Sequence, residues 1–331
     1  MITILVAACL LGCGPAESVG SSPGAGEASS RGSDPASSSP AAQTADLSPP
    51  SAEEIALFDY DASAPLEVTE RGRDMFDGVT RIDLTYASPH GGRVPAWVYE
   101  PVEEGPHAGL VFMHGMPSSR DQSPELAASY ARSGAVVIAI SAPFARPDGP
   151  RQDVIKFTEQ DRDEQIQLIV DLRRAVDYLL AHPAVDPERI GYLGASYGGA
   201  MGGLLAGVED RIAAYALVVG DGGLVAHSSG PEDRISERLP AEVWEAWLAA
   251  MEPIEPIRFV GLAAPTPLLF QNGRADQMVP PADAERYQQA ANEPKTVIWY
   301  DTGHARTPEM IRDQVEWLAE HIGIDPGRFF Q

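Results

Sequence analysis

At 331 residues, with 44% hydrophobic and 22% charged side chains, the chain has ordinary globular composition and the length to bury one large core. Its formal net charge of -24 repels nucleic acid and anionic lipid headgroups, so neither is expected as a partner. Both cysteines, Cys9 and Cys13, stand near the N-terminus, and the seven histidines lack helical pairing beside carboxylates; the rest of the chain therefore has no disulfide or cysteine-based metal site, and no metal or other cofactor is expected.

Ile2 to Gly12 form an apolar run of about eleven residues, half the length of a bilayer-spanning helix and suited to the h-region of an export signal. The run ends in Leu10-Leu11-Gly12-Cys13, which resembles a bacterial lipobox, although no Lys or Arg precedes it. Val6-Ala7-Ala8-Cys9 fits the pattern too but leaves a shorter h-region. The expectation is a lipoprotein-type signal peptide over residues 1–13 with lipid on Cys13 and an exported protein held at a bacterial cell envelope, a cleaved signal and a periplasmic or secreted chain being the alternative. Residues 14–52 are Ser, Pro, Ala and Gly with almost no large apolar side chain, which predicts a disordered tether with an end-to-end distance of roughly 35 Å. One folded domain is expected over residues 53–331.

Within that domain, Thr80–Tyr86 and Val94–Tyr99 read as strands, joined by the hairpin signal Ser88-Pro89-His90-Gly91-Gly92. Gly109–Met113 is a short apolar run, Pro124–Arg132 is helical, and Ala135–Ile140 has the β-branched character of a strand buried on both faces, the start of a parallel sheet. A loop rich in Pro and Arg, Pro143–Arg151, precedes an amphipathic helix over Glu159–Ala181, where Ile166, Ile169, Val170, Leu172, Val176 and Leu179 recur at helical spacing until His182-Pro183 stops it. Four more strands follow at Ile190–Leu193, Ala213–Val219, Pro267–Gln271 and Thr296–Tyr300, separated by helices near residues 200–206, 243–251, 281–291 and 308–322. This alternation predicts an α/β fold with a doubly wound, mostly parallel sheet. Residues 224–260 are longer than a plain crossover and predict a short helical insertion, whose stripe of Val243, Trp244, Trp247, Leu248 and Met251 is either ordinary core packing or a partial lid.

Gly194-Ala195-Ser196-Tyr197-Gly198 matches the nucleophile elbow, in which a serine occupies a strained strand-to-helix turn. The strand Arg189–Leu193 enters it and a small-residue helix leaves it. A serine hydroxyl needs an imidazole to take its proton and an anion to fix that imidazole's tautomer. His304, in Thr302-Gly303-His304, follows the last strand and is the candidate base. Asp276, in Asn272-Gly273-Arg274-Ala275-Asp276, follows the preceding strand and is the candidate acid, with Asp301 and Asp221 as competitors. His114-Gly115-Met116-Pro117 lies directly after Gly109–Met113, where an oxyanion hole draws one of its backbone N–H groups, so Met116 and Tyr197 are the expected donors and His114 is expected to order the loop. Phe144, Trp244, Trp247 and Met278 are candidates for an acyl pocket.

Together these residues resemble the α/β-hydrolase superfamily from about Arg81 to Ile322. Within it the chain is similar to the dienelactone-hydrolase and prolyl-oligopeptidase-like esterases, on Asp171-Leu172-Arg173-Arg174-Ala175, Asp186-Pro187-Glu188-Arg189-Ile190-Gly191, the elbow, Gln271–Asp276 and Gly303-His304. The resemblance implies hydrolysis of a small-molecule ester through a covalent acyl-enzyme. It does not imply a dienelactone, because that family's nucleophile is typically cysteine and Ser196 stands here. Peptidase relatives carry a large propeller that this sequence lacks, so an aminopeptidase or amidase is the second expectation, and a catalytically silent surface lipoprotein the third.

Overall fold

In the computed structural model, residues 48–146, 154–228 and 238–331 are described, so the expected signal peptide, Cys13, most of the tether and part of the Pro/Arg-rich loop lie outside the described residues. The expected alternation of elements becomes one nine-stranded sheet. Its strands are β1 Thr69–Phe76, β2 Val79–Ala87, β3 Arg93–Glu100, β4 His107–Met113, β5 Ala135–Ile140, β6 Val185–Ala195, β7 Ala214–Val218, β8 Leu268–Gly273 and β9 Lys295–Tyr300. They lie in the order β1-β2-β3-β5-β4-β6-β7-β8-β9, antiparallel from β1 through the β3–β5 pair and parallel from β5 to β9.

The alternation of side chains across β4 explains why the sheet is covered twice. Leu110 and Phe112 join a cluster with α2 (Pro124–Arg132), α9 (Pro308–Ile322) and α10 (Pro326–Phe329), whereas Val111 and Met113 join a cluster with α3 (Glu159–Ala181) and α4 (Tyr197–Ala206). Each large aliphatic side chain buried this way contributes roughly 1.5–3 kcal/mol relative to exposure. From β4 the chain moves to β5 on one side and later to β6 on the other, so a crevice opens beyond the carboxyl ends of β4 and β6. Helix α3 occupies the expected span because Thr158 and Asp161 form a capping box at its start and His182 ends it in an extended conformation before Pro183.

Two features differ from expectation. The folded chain begins earlier than residue 53: Pro50 is buried, Ser51 caps helix α1 (Ala52–Ala56), and Arg258 donates to the Ser48 carbonyl at 3.1 Å and pairs with Glu54 at 2.7 Å. Strand β1 extends the antiparallel edge and was not expected. Its side chains are exposed except at Phe76, so it shows no apolar alternation, and its charges protect the sheet edge from pairing with another chain.

The insertion after β7 contains α5 (Leu224–Ser228), α6 (Ala241–Met251) and α7 (Pro256–Phe259), while α8 (Pro281–Ala290) follows β8. Trp247 is 1% exposed, its ring meets Phe157 and Trp244, and its Nε1–H donates to Asp161 Oδ2 at the start of α3 at 2.9 Å. The described side of the Trp244–Met251 stripe is therefore core packing against α3. Among the described residues no helix is long and apolar enough to cross a membrane.

Candidate active site

Strand β6 runs directly into α4, and Ser196 forms the bend with φ 55° and ψ -118°. A non-glycine residue in this region costs on the order of 1–3 kcal/mol, which the surroundings must offset. Ser196 N–H donates to Val218 O of the neighbouring strand at 2.8 Å, and Ser196 O accepts from Ala200 N–H at 3.0 Å. The bend also needs bare backbone on both sides. A Cβ at Gly194 would stand 2.1 Å from Gly198 O, and one at Gly198 would stand 2.6 Å from Met113 O. Tyr192 adds a buried brace, its hydroxyl donating to Gly198 O at 2.6 Å.

His304 and Asp276 reach the bend from two loops that the sheet stitches together. Past the β8–β9 ladder, Arg274 N–H donates to Tyr300 O at 2.8 Å and Ala275 N–H to Thr302 O at 3.0 Å, which extends the pairing into both loops. Ser196 Oγ–H donates to His304 Nε2 at 3.0 Å, and His304 Nδ1–H donates to Asp276 Oδ2 at 2.8 Å. Because a carboxylate accepts only, this bond puts the ring proton on Nδ1 and leaves Nε2 as the acceptor facing the serine. The other Asp276 oxygen accepts from Met278 N–H and Val279 N–H, each at 2.9 Å, and the carboxylate is fully buried. The three residues expected from the sequence thus come together.

The competitors for the acid do not reach this histidine. Asp301 is 96% exposed and faces Arg274 at 3.5 Å. Asp221 accepts from His227 Nδ1–H at 3.0 Å and from Gly223 N–H at 3.2 Å.

Around Ser196, His114 is buried beside the loop it was expected to order. Tyr197 opens α4, where the first N–H groups have no intrahelical partner, and Met116 packs at the edge of the core after β4. Phe144 meets the rings of both His114 and Tyr197, with centroids 5.8 and 5.6 Å apart. Met278 is largely exposed on the Asp276 loop, and Trp247 lies in the core as described. One contact was not anticipated: the Gln122 side-chain oxygen accepts from Gly115 N–H at 2.6 Å. A glutamine seven positions downstream has no spacing signature, and only the tertiary fold brings it there. Among the described residues no group of His, Cys, Asp and Glu is arranged to hold a metal ion.

A sequence profile of the prolyl oligopeptidase family matches residues 156–325, and one of acetyl xylan esterase (AXE1) matches residues 58–220. A polyketide transferase of Stachybotrys chlorohalonatus is 29% identical over 139 residues, covering 41% of this chain and 43% of that protein, so the match spans under half of that relative's length. A Bradyrhizobium protein named "Probable 2-oxo-3-(5-oxofuran-2-ylidene)propanoate lactonase" is 25% identical over 230 residues, covering 68% of this chain and 83% of its own. Among solved structures, acetyl xylan esterase 1 from a Thermoanaerobacterium species superposes with a TM-score of 0.69 at 18% identity, covering 84% of this chain and 96% of that one. This last likeness establishes the α/β-hydrolase fold.

Proposed function

The chain belongs to the prolyl oligopeptidase family, and from that premise we propose that it is a serine carboxylic ester hydrolase acting through an acyl-enzyme on Ser196, with His304 as general base and Asp276 as the orienting acid. The observation that carries this reading is the continuous pair of bonds, 3.0 and 2.8 Å, from the serine on its strained bend through the ring to a buried carboxylate. As Ser196 Oγ bonds to the ester carbonyl carbon, its proton passes to His304 Nε2, and Asp276 stabilises the imidazolium. The carbonyl oxygen becomes an oxyanion facing the backbone N–H groups of Met116 and Tyr197, each such donor supplying about 3–4 kcal/mol in the transition state. His304 then returns the proton to the alcohol as the carbon–oxygen bond breaks. Water, deprotonated by the same ring, cleaves the acyl-enzyme and restores Ser196.

The preference for an ester over an amide is supported by the acetyl xylan esterase profile and by the lactonase relative, a lactone being an internal ester. Phe144 and Met278 are the side chains we expect to bound the acyl group. The full chain should hydrolyse p-nitrophenyl acetate or butyrate faster than aminoacyl p-nitroanilides and react with a fluorophosphonate at Ser196. Ser196→Ala should lower turnover by about 10⁶. Unchanged labelling and turnover in that variant would end the reading, whereas faster cleavage of the amides would keep the triad and make the enzyme a peptidase.

We also read Cys13 as a site of lipid attachment that holds the enzyme at a bacterial cell envelope, supported by the apolar run Ile2–Gly12 and the lipobox-like Leu10–Cys13. In cells fed an alkyne-tagged palmitate the native chain should carry the label and Cys13→Ser should not. A label that persists in Cys13→Ser removes this site and points to Cys9.

A further inference from the structure

After β4 the chain turns at Gly115, and both backbone polar groups of that residue are engaged. Its carbonyl accepts from Ser118 N–H at 2.9 Å and from the His114 ring at Nδ1, 2.8 Å away. The proton is on Nδ1 because His114 Nε2 accepts from Ala142 N–H at 3.1 Å. The Gly115 N–H donates to Gln122 Oε1 at 2.6 Å. A trans peptide is planar, so the Gly115 carbonyl and the Met116 N–H lie in one plane and point opposite ways. The Gly115 N–H belongs to the preceding peptide, and holding both planes fixes the Gly115 backbone and with it the direction of Met116 N–H. The turn lies against the nucleophile, since a Cβ at Gly115 would stand 3.2 Å from both Ala195 O and Ser196 Cβ.

Gln122 is braced from outside this turn. Its own N–H donates to Ser119 O at 3.0 Å, and the adjoining Asp121 accepts from Trp97 Nε1–H at 2.7 Å. Arg120 N–H donates to Ser141 Oγ at 3.2 Å, and its guanidinium donates to Ala96 O on β3 at 2.6 Å. The amide oxygen that holds Gly115 is thus anchored to β3 and to the end of β5.

We propose that Gln122 is a positioning residue for the reaction: by holding the Gly115 N–H it keeps the Met116 N–H aimed at the developing oxyanion. This rests on the reading above, in which Met116 supplies an oxyanion donor. A donor that drifts by about 1 Å loses about 10²-fold in rate. The loss falls on the charged transition state and not on the neutral ester, so it belongs in kcat and not in KM.

The test compares Gln122→Met, which keeps length without the oxygen, Gln122→Ala, and Gln122→Glu, which keeps an acceptor oxygen. With p-nitrophenyl acetate, the Met and Ala variants should lose about 10- to 100-fold in kcat with KM within about threefold, and their fluorophosphonate labelling should slow in parallel. Gln122→Glu should return kcat to within about fivefold of native, because a carboxylate accepts the same N–H. Native kcat in the Met and Ala variants overturns the proposal. So does a Glu variant as impaired as Met, a loss confined to KM, or failure of both Met and Ala variants to fold, since the oxygen would then serve stability alone. Ser196→Ala in the same assay separates the two readings: turnover that survives it removes the serine mechanism, whereas a dead Ser196→Ala beside a fully active Gln122→Met removes only Gln122.

Discussion

Among the described residues, two aspartate–histidine pairs stand beyond the carboxyl ends of the sheet, and they are built differently. In the first, Asp276 follows β8 and His304 follows β9, so the register of two parallel strands sets the distance between them. In the second, Asp221 and His227 belong to the single connection after β7, within six residues of each other. The His304 side chain is 17% exposed and joined to Ser196, whereas that of His227 is 36% exposed. Both oxygens of Asp276 are used, one by the ring and one by two backbone N–H groups. An aspartate beside a histidine can thus arise from two different constructions of the chain. What distinguishes the first pair is that two paired strands place it and that its ring also bonds Ser196.

Exchanging the histidines tests that contrast most sharply. His304→Ala should lower ester turnover by about 10⁶, comparable with loss of the nucleophile, while His227→Ala should stay close to native in kcat. The aspartates should differ by less: Asp276→Asn should cost about 10⁴ in kcat by presenting the wrong ring tautomer, with Asp221→Asn near native. A large loss in Asp221→Asn beside a mild one in Asp276→Asn would reassign the acid to β7.

The smallest effect concerns stability near the second pair. Glu255 is buried, with Oε1 accepting from Val225 N–H at 3.1 Å and Oε2 from Ala226 N–H at 3.4 Å. Burial pushes its carboxyl up to about 8 from the ordinary 4.5; the backbone bonds oppose this and the Asp221 charge adds to it. The folded chain thus holds this proton more tightly than the unfolded one. Its contribution is complete below 4.5 and drains away as the pH rises through about 8. Glu255→Gln should flatten the fall in Tm between about pH 5 and pH 8.5, and an unchanged slope would detach that dependence from this carboxyl.

Most of the candidate site was legible in the sequence because its parts stand shortly after strands. Ser196, Asp276 and His304 each stand just past a strongly apolar run, and α3 has a capping residue at one end and His182-Pro183 at the other. Features that depend on a partner far along the chain were not legible. The Val243–Met251 stripe reads equally as lid or core packing in sequence, and the contact of its Trp247 with Asp161 spans 86 positions that no local pattern records. Gln122 meets Gly115 from seven positions downstream, a spacing that marks no element in the sequence. Strand β1 lacks an apolar face, though Asp77-Gly78, both at positive φ, is the hairpin signal that would have revealed it. Ser48-Pro49-Pro50-Ser51 has a linker's composition, yet Pro50 is buried and Ser51 caps α1, so composition alone places the folded boundary after residue 52.

The crowding at Gly194 and Gly198, where any added carbon would strike a neighbouring carbonyl oxygen, bears on how such an enzyme can change. A saturation library selected on any ester whatever should recover glycine at both positions, since the obstruction comes from main chain that no second substitution removes. Evolvability toward new acyl or alcohol groups would then reside in the side chains that bound the cleft, for which Phe144 and Met278 are our proposed candidates, while the bend at Ser196 is inherited without variation.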